Sequence, residues 1–318
     1  MPRRFLRAAP VLFLPFLASS AQAALTVYAT DASTVYLYHL DELAGSTSAA
    51  STGSVTSAAI AFDGNPAANH ATNAQATSSG MLGATAYSGF GSAANITAGD
   101  LGLGVDANGS GGFQMGVNGA ASPDAITQGS FSSANGSFTV EAMINVSSIT
   151  GANREIVCTD NSLANNLRGF QFRISSTGLL EFNIIGTNTS ASTIAIPLTG
   201  ANGFVANEWF HTALSFDGST NTATFYWTRV DPTFTSANIL GTSTNETSSA
   251  ALAGPLVFGN EARSATTAPN SGEGLLGLMD EIRVSNVARG PNDFIFVPEP
   301  SSVLLGALGV LGLLRRRR

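Results

Sequence analysis

Ser137-Phe138-Thr139-Val140-Glu141-Ala142-Met143-Ile144-Asn145-Val146 is the stretch whose reading decides the fold. Phe138, Val140, Ala142, Ile144 and Val146 alternate with Thr139, Glu141, Met143 and Asn145. A period of two belongs to a strand and gives one core face and one mostly solvated face. The pattern repeats downstream. Phe170, Phe172 and Ile174 alternate with Gln171, Arg173 and Ser175, and Leu180, Phe182 and Ile184 follow after Ser176-Thr177-Gly178. Two such runs joined by a short glycine-containing turn predict a hairpin. A second hairpin is predicted to join Trp209–Phe216 to Thr222–Val230 across Asp217-Gly218-Ser219-Thr220-Asn221, with further strands at Leu256–Phe258 and Leu275–Val284. No helical period longer than a couple of turns interrupts this series. The reading is all-β, an antiparallel β-sandwich.

Working outward, Val35-Tyr36-Leu37-Tyr38-His39-Leu40 has no polar face, which predicts a strand buried on both sides. Residues 46–130 are rich in Ala, Gly, Ser, Thr and Asn, with weak strand signals at Ala58–Phe62 and Gly112–Val117. The single cysteine, Cys158, excludes an intramolecular disulfide framework. Its place at the end of Glu155-Ile156-Val157 fits a small buried residue better than a catalytic thiol served by His39, His70 or His211. The Asn-x-Ser/Thr sequences, at Asn95 and Asn145 among others, are read as products of the composition.

Both ends carry addresses. Arg3, Arg4 and Arg7, the apolar run Ala8–Leu17 and the small residues of Ala21-Gln22-Ala23 form a secretory signal peptide over 1–23, with cleavage expected after Ala23. At the other end Val297-Pro298-Glu299-Pro300 blocks regular structure, Ser302–Leu314 has no charge, and Arg315, Arg316, Arg317 and Arg318 close the chain. An apolar helix ending in arginines is held in a bilayer with its cations on the cytoplasmic side. The expectation is therefore one C-terminal transmembrane helix within 297–318 and an extracytoplasmic body over 24–296. That body holds seven arginines, no lysine and twenty carboxylates, a formal charge of 7 − 20 = −13. Such a sign repels phosphate backbones and speaks against a nucleic-acid partner.

Two resemblances rest on these residues. Pro298-Glu299-Pro300, followed by the apolar span and the terminal arginines, resembles the PEP-CTERM sorting signal. The resemblance implies a precursor anchored in the inner membrane, an exosortase-type enzyme cutting at or near Pro298–Pro300, and release outward, commonly beside exopolysaccharide. Along the body, Tyr38-His39-Leu40-Asp41-Glu42 with Gly45, Ser137-Phe138-Thr139-Val140-Glu141-Ala142, Trp209-Phe210-His211 with Asp217-Gly218, and Gly277-Leu278-Met279-Asp280-Glu281-Ile282-Arg283-Val284 resemble, in order, the motifs of laminin-G-like, concanavalin A-like jelly rolls. Met143 stands where that family's tryptophan would be. The family includes sugar-binding modules, adhesion domains and glycosidases, so it does not by itself settle the function.

A glycosidase needs two carboxyl groups facing each other across a sugar. The E-x-D-x-E spacing of jelly-roll glucanases is missing here, and Asp41-Glu42 and Asp280-Glu281 are adjacent pairs that point to opposite faces of a strand. No catalytic residue is assigned. Asp280 stands out because it shares strand phase with Leu278, Ile282 and Val284, which would aim its carboxylate into the core, with Glu281 and Arg283 solvated opposite. One reading of Asp280 is a hydrogen bond to backbone or an arginine. The other is a calcium site shared with Asp41 or Glu42, since first and last strands are commonly neighbours. Trp209 and Trp227 are expected to face each other, more as core than as a sugar platform.

The function expected is a non-catalytic module that binds carbohydrate or mediates adhesion in a polysaccharide or biofilm matrix at the cell surface. A purely structural matrix protein is the alternative, and a glycosidase the distant third. Mass spectrometry of the exported protein should find an N-terminus at about Ala24 and a C-terminus near Pro298–Pro300. Retention of Arg315–Arg318 on a secreted species would overturn the sorting reading and leave a plain membrane anchor.

Overall fold

The alternation over 138–146 becomes the central strand of a sheet. In a computed structural model of the chain, Phe138–Val146 pairs antiparallel with Trp209–Asp217 on one side and with Gly277–Ser285 on the other. The structure describes residues 24–44, 46, 48–54, 60–61, 83–87, 89–96, 103–105, 113–115, 137–158, 170–184, 191–231, 233–245, 252–254, 256–259 and 273–297. The signal peptide and the transmembrane helix expected at the two ends lie outside these residues. Among the described residues, no helix is long and apolar enough to cross a membrane.

Two sheets make the sandwich. The first runs, in spatial order, Ser192–Ala195, Leu179–Ile184, Phe170–Ile174, Arg154–Cys158, Leu256–Phe258, Leu103–Val105, Ile60–Ala61 and Ser48–Ala49. The second runs Ile239–Ser243, Thr222–Arg229, Trp209–Asp217, Phe138–Val146, Gly277–Ser285, Ser92–Ile96 and Ala84–Thr85, with Thr34–Tyr38 also on Gly277–Ser285. Both predicted hairpins are present, in unbroken register from Phe170↔Ile184 to Ile174↔Leu180 and from Phe210↔Arg229 to Asp217↔Thr222. The first and last long strands are neighbours, Tyr38 lying opposite Ile282 and Tyr36 opposite Val284. At one edge the two sheets approach each other, where the Ser192 and Ser243 hydroxyls hydrogen-bond at 2.7 Å.

The space between the sheets is filled by the predicted apolar set. Phe138, Phe170, Phe182 and Phe216 form a ring of aromatic contacts with centroids 5.5–6.2 Å apart, and Trp227 stacks on Phe210 at 4.6 Å. Such tilted and offset pairs add to the transfer free energy of burial. Thr34–Tyr38 is buried along its whole length, as its lack of a polar face predicts, and Cys158 is a buried thiol at its strand's end.

The expected wet face of Phe138–Val146 is not wet. Thr139, Glu141 and Met143 are fully buried, because the segments at the two ends of the body lie over this outer face. Ala24–Leu25 pairs with Phe296–Val297, Thr26 N donates to Ile295 O at 3.0 Å, and Tyr28, Phe294, Ile295 and Phe296 pack with Leu37, Met143, Ala213 and Tyr226 in a second apolar cluster. A sheet covered on both faces loses its amphipathic signature, which is why Met143 occupies a polar-phase position. Phe138→Ala, at the centre of the aromatic ring, is expected to cost about 3–5 kcal/mol, read as a lowered midpoint in denaturant unfolding followed by circular dichroism.

Candidate functional site

Chemistry-bearing side chains gather on the outer face of the second sheet, in two zones. The first lies beneath the terminal segments. Arg283 sits directly opposite Glu141 on the neighbouring strand and donates from Nε to its Oε1 at 2.6 Å. The His211 Nε2 lies 3.0 Å from Glu141 Oε2, and the Tyr28 hydroxyl donates to that same oxygen. The Arg283 guanidinium lies 3.8 Å from the centre of the Tyr28 ring and donates to Asp293 O at 2.7 Å. Phe294 and Phe296 close over the His211 ring at 4.8 and 5.6 Å. Burial alone would push the Glu141 carboxyl up, but Arg283 and then His211 outweigh it and hold it below its usual range. Burial, reinforced by the Glu141 charge, drives the Tyr28 phenol well above its own range. A charge pair this deep is strongly destabilising if one partner is removed, so this zone fastens the terminal segments to the sheet and offers no reacting atom to solvent.

A seam adjoins it. The strand Gly277–Ser285 pairs with Ser92–Ile96 through residues 277–279 and with Thr34–Tyr38 through residues 282–285. Between the two pairings its register against Phe138–Val146 shifts, and Glu281 takes φ +47°. This bulge re-aims the side chains. Met279, Ile282 and Val284 enter the core between the sheets, whereas Asp280 stands opposite Met143 on the outer face. The strand phase read from the sequence is thereby corrected, since Asp280 does not share a face with Ile282 and Val284. Glu281 and Arg283 are likewise buried and not solvated. Glu281 Oε1 holds His39 Nδ1 at 2.8 Å, raising the His39 pKa, and its Oε2 accepts from Tyr28 N at 3.2 Å.

Each of the three carboxylates expected to hold calcium accepts a backbone amide. Asp280 Oδ1 accepts from Glu281 N at 2.8 Å, Asp41 Oδ1 from Ser92 N at 2.8 Å, and Glu42 Oε1 from Ala50 N at 3.1 Å. Among the described residues, no group of three or more His, Cys, Asp or Glu side chains is placed to hold a metal ion. Asp280 meets its burial differently. Desolvation, then the charge of Glu281, raises its carboxyl to about 9, so it stays protonated at neutral pH. The expected pairing of the tryptophans is also corrected. Trp227 stands opposite Thr212 and faces the core, whereas Trp209 stands opposite Asn145 and packs on the outer face.

The second zone begins there. Trp209 is opposite Asn145, Asn145 is opposite Leu278, and Leu278 is opposite Asn95. Residues directly across an antiparallel ladder share a face. The four therefore form one row across four strands, each partly buried, just beyond the fully buried row of His211, Met143 and Asp280. At ~4.8 Å per strand the row is about 14 Å long. Asn145 Nδ2 donates to Asn207 O at 3.1 Å, which fixes its amide. An indole, two amides and one aliphatic side chain are groups that stack and hydrogen-bond, with no acid, base or nucleophile among them. The row is invisible in sequence, because its members lie in four segments and only the register aligns them.

With this geometry in place the relatives can be named. A profile of the concanavalin A-like lectin/glucanases superfamily matches residues 116–293, more than half of the 318-residue chain. The chain belongs to that superfamily, and a PEP-CTERM protein-sorting motif occupies residues 296–318. That motif implies export through a membrane-anchored precursor. No curated protein matches the chain. Similar solved structures include a candidate carbohydrate binding protein from Bacteroides ovatus, at 21% identity and TM-score 0.34 over 49% of this chain and 39% of that one. The carbohydrate-binding module of Ruminococcus gnavus IT-sialidase bound to α2,3-sialyllactose is similar at 14% and 0.37, over 51% and 82%. Trypanosoma rangeli sialidase is similar at 9% and 0.49, over 88% and 35%. This chain thus spans only about two fifths of the Bacteroides protein, and these likenesses concern the fold alone.

Asp280 supplies a prediction with a definite sign. The folded carboxyl keeps its proton to about pH 9, while the unfolded one releases it near 3.8. Its contribution to stability is therefore full below the lower value and is lost as pH rises toward the upper one, at up to about 1.4 kcal/mol per pH unit. Asp280→Asn keeps the shape without the titration. Melting temperatures measured between pH 5 and 9 should fall less steeply in the variant, which should be the more stable protein at pH 8. A variant less stable than wild type throughout would overturn the protonated assignment.

Proposed function

We propose that this protein is an exported, non-catalytic carbohydrate-binding module of an extracellular polysaccharide matrix, with the row Trp209–Asn145–Leu278–Asn95 as its contact surface. Signal-peptide removal after Ala23 leaves a body spanning 24–296, and an exosortase-type enzyme acts on the segment 297–318 while the arginines 315–318 hold the precursor in the inner membrane. The observation that carries the reading is the row itself: a partly buried indole in cross-strand register with two amides, on a sheet of a lectin-type fold. A pyranose presents an apolar C–H face to an aromatic ring and its hydroxyls to amides. Trp209 would take the first, Asn145 and Asn95 the second, and Leu278 would fill the apolar gap between them.

The carboxylates of the described sheets support binding over turnover. Glu141 and Glu281 are engaged beneath the terminal segments, Asp280 is fully buried, and Arg173 holds Glu181 at 2.6 Å and Glu155 at 3.3 Å. A single row gives weak affinity. Many copies beside one polymer would raise the avidity by ~10²–10⁴ without new contacts.

Affinity electrophoresis of the body through gels containing neutral polysaccharide tests the reading. Retardation is expected for the wild type and is expected to fall at least tenfold in Trp209→Ala, compared well below the variant's melting temperature because the indole also packs on the second apolar cluster. It should also survive a chelator and produce no new reducing ends. Equal retardation of the wild type and Trp209→Ala would remove the row from the function. Loss on chelation would restore calcium at Asp41, Glu42 and Asp280, and reducing ends that vanish on mutating one carboxylate would make the protein a glycosidase.

A further inference from the structure

The two ends of the described body meet in the fold. Ala24 stands opposite Val297 and Leu25 opposite Phe296. By covalent connection alone, the expected signal-peptide junction Ala23–Ala24 and the start of Pro298-Glu299-Pro300 each lie next to the same hydrogen-bonded pair. The sorting motif's first two residues, Phe296 and Val297, are thus already a strand of the body.

This strand is held from several sides. Thr26 N donates to Ile295 O at 3.0 Å. Phe294, Ile295 and Phe296 are no more than 3% exposed. Arg283 Nη2 donates to Asp293 O at 2.7 Å, and Arg289 Nη2 donates to Asp31 Oδ1 at 2.8 Å. Tyr28, on the N-terminal side, reaches Glu141 and Glu281 in the sheet. A protease needs an accessible, unpaired stretch of its substrate, and paired backbone is cut only from an opened form. The stretch Phe294–Val297 is withheld in this way.

We propose that the N-terminal segment Ala24–Asp31 is a clamp that positions the C-terminal sorting junction, so that the second processing cut acts on the folded body and falls at residue 298 or beyond. The proposal rests on the exosortase reading above. For hydrolysis the balance is simple. One peptide C–N bond breaks, water supplies the hydroxyl of the new carboxyl group, and its remaining proton goes to the departing amine on the membrane-held fragment. The body's part is to present that bond and to shield the ones before it.

The test uses the full-length chain in its own host, with intact-mass measurement of cell-bound and released forms. Thr26→Pro removes the donor to Ile295 O at a residue whose side chain is exposed, and it leaves both cleavage motifs unaltered. The wild type should give one released species ending at 298 or later. Thr26→Pro should lose its signal peptide normally but show either several-fold accumulation of the uncut C-terminus or termini scattered upstream of 298. Phe172→Leu, a core change in the other sheet that lowers the melting temperature, should be processed as wild type. Glu299→Ala should block the second cut. A single wild-type terminus at the wild-type rate in Thr26→Pro, or equal scatter in Phe172→Leu, overturns the clamp and leaves the sorting reading standing. Normal cutting of Glu299→Ala overturns the sorting reading itself.

Discussion

A carboxylate and a guanidinium on neighbouring strands, both out of water, set the terms for much of this molecule. Neither Glu141 nor Arg283 could be buried alone, because the uncompensated charge would cost several kcal/mol. Their contact at 2.6 Å removes that penalty, and His211 and Tyr28 take further lone pairs of the same carboxylate. Tyr28 comes from the N-terminal segment, and Asp293, which accepts from Arg283, comes from the C-terminal one. The pair is therefore satisfied only when both terminal segments are in place. In turn, those segments are worth ordering only because the charges and the apolar cluster beneath them need a cover.

The seam beside this network shows a second way of managing a buried acid. Where the strand Gly277–Ser285 changes partner, a bulge and a left-handed backbone at Glu281 turn Asp280 out of phase with the residues after it. Burial and then the charge of Glu281 favour the neutral form of Asp280. One sheet face thus holds an ionised carboxylate and a neutral one, and the nearest positive charge decides which is which.

The fold was largely legible in the sequence, for a simple reason. Strands such as Phe138–Val146 and Phe170–Ile174 send alternate residues into one core, and period two records that directly. The signal fails where both faces are buried. Met143 and Glu141 were read as a wet face because nothing local says that Phe294 and Phe296, about 150 residues away, lie over them. It fails again at Glu281, where a one-residue bulge inverts every phase assignment made across it. Asp280 stands out in the sequence as an expensive carboxylate, and it does accept a backbone hydrogen bond, but the bulge puts it on the other face. Trp209 was noticed, yet its neighbours Asn145, Leu278 and Asn95 could be found only from register. The addresses at the two ends are readable because they are linear, whereas the pairing of Ala24 with Val297 is not.

That meeting also decides how the body would bear load. Before any cut, a body held through its C-terminal segment would be pulled through Val297. The first bonds met are those of a two-residue antiparallel pair, which lie across the line of pull and open one at a time, like a zip. Peeling Phe296 and then Phe294 away from His211 would absorb work before the long strands of the sandwich were stressed. The terminal pair would then serve as a mechanical fuse, yielding at low force and re-forming when slack returned.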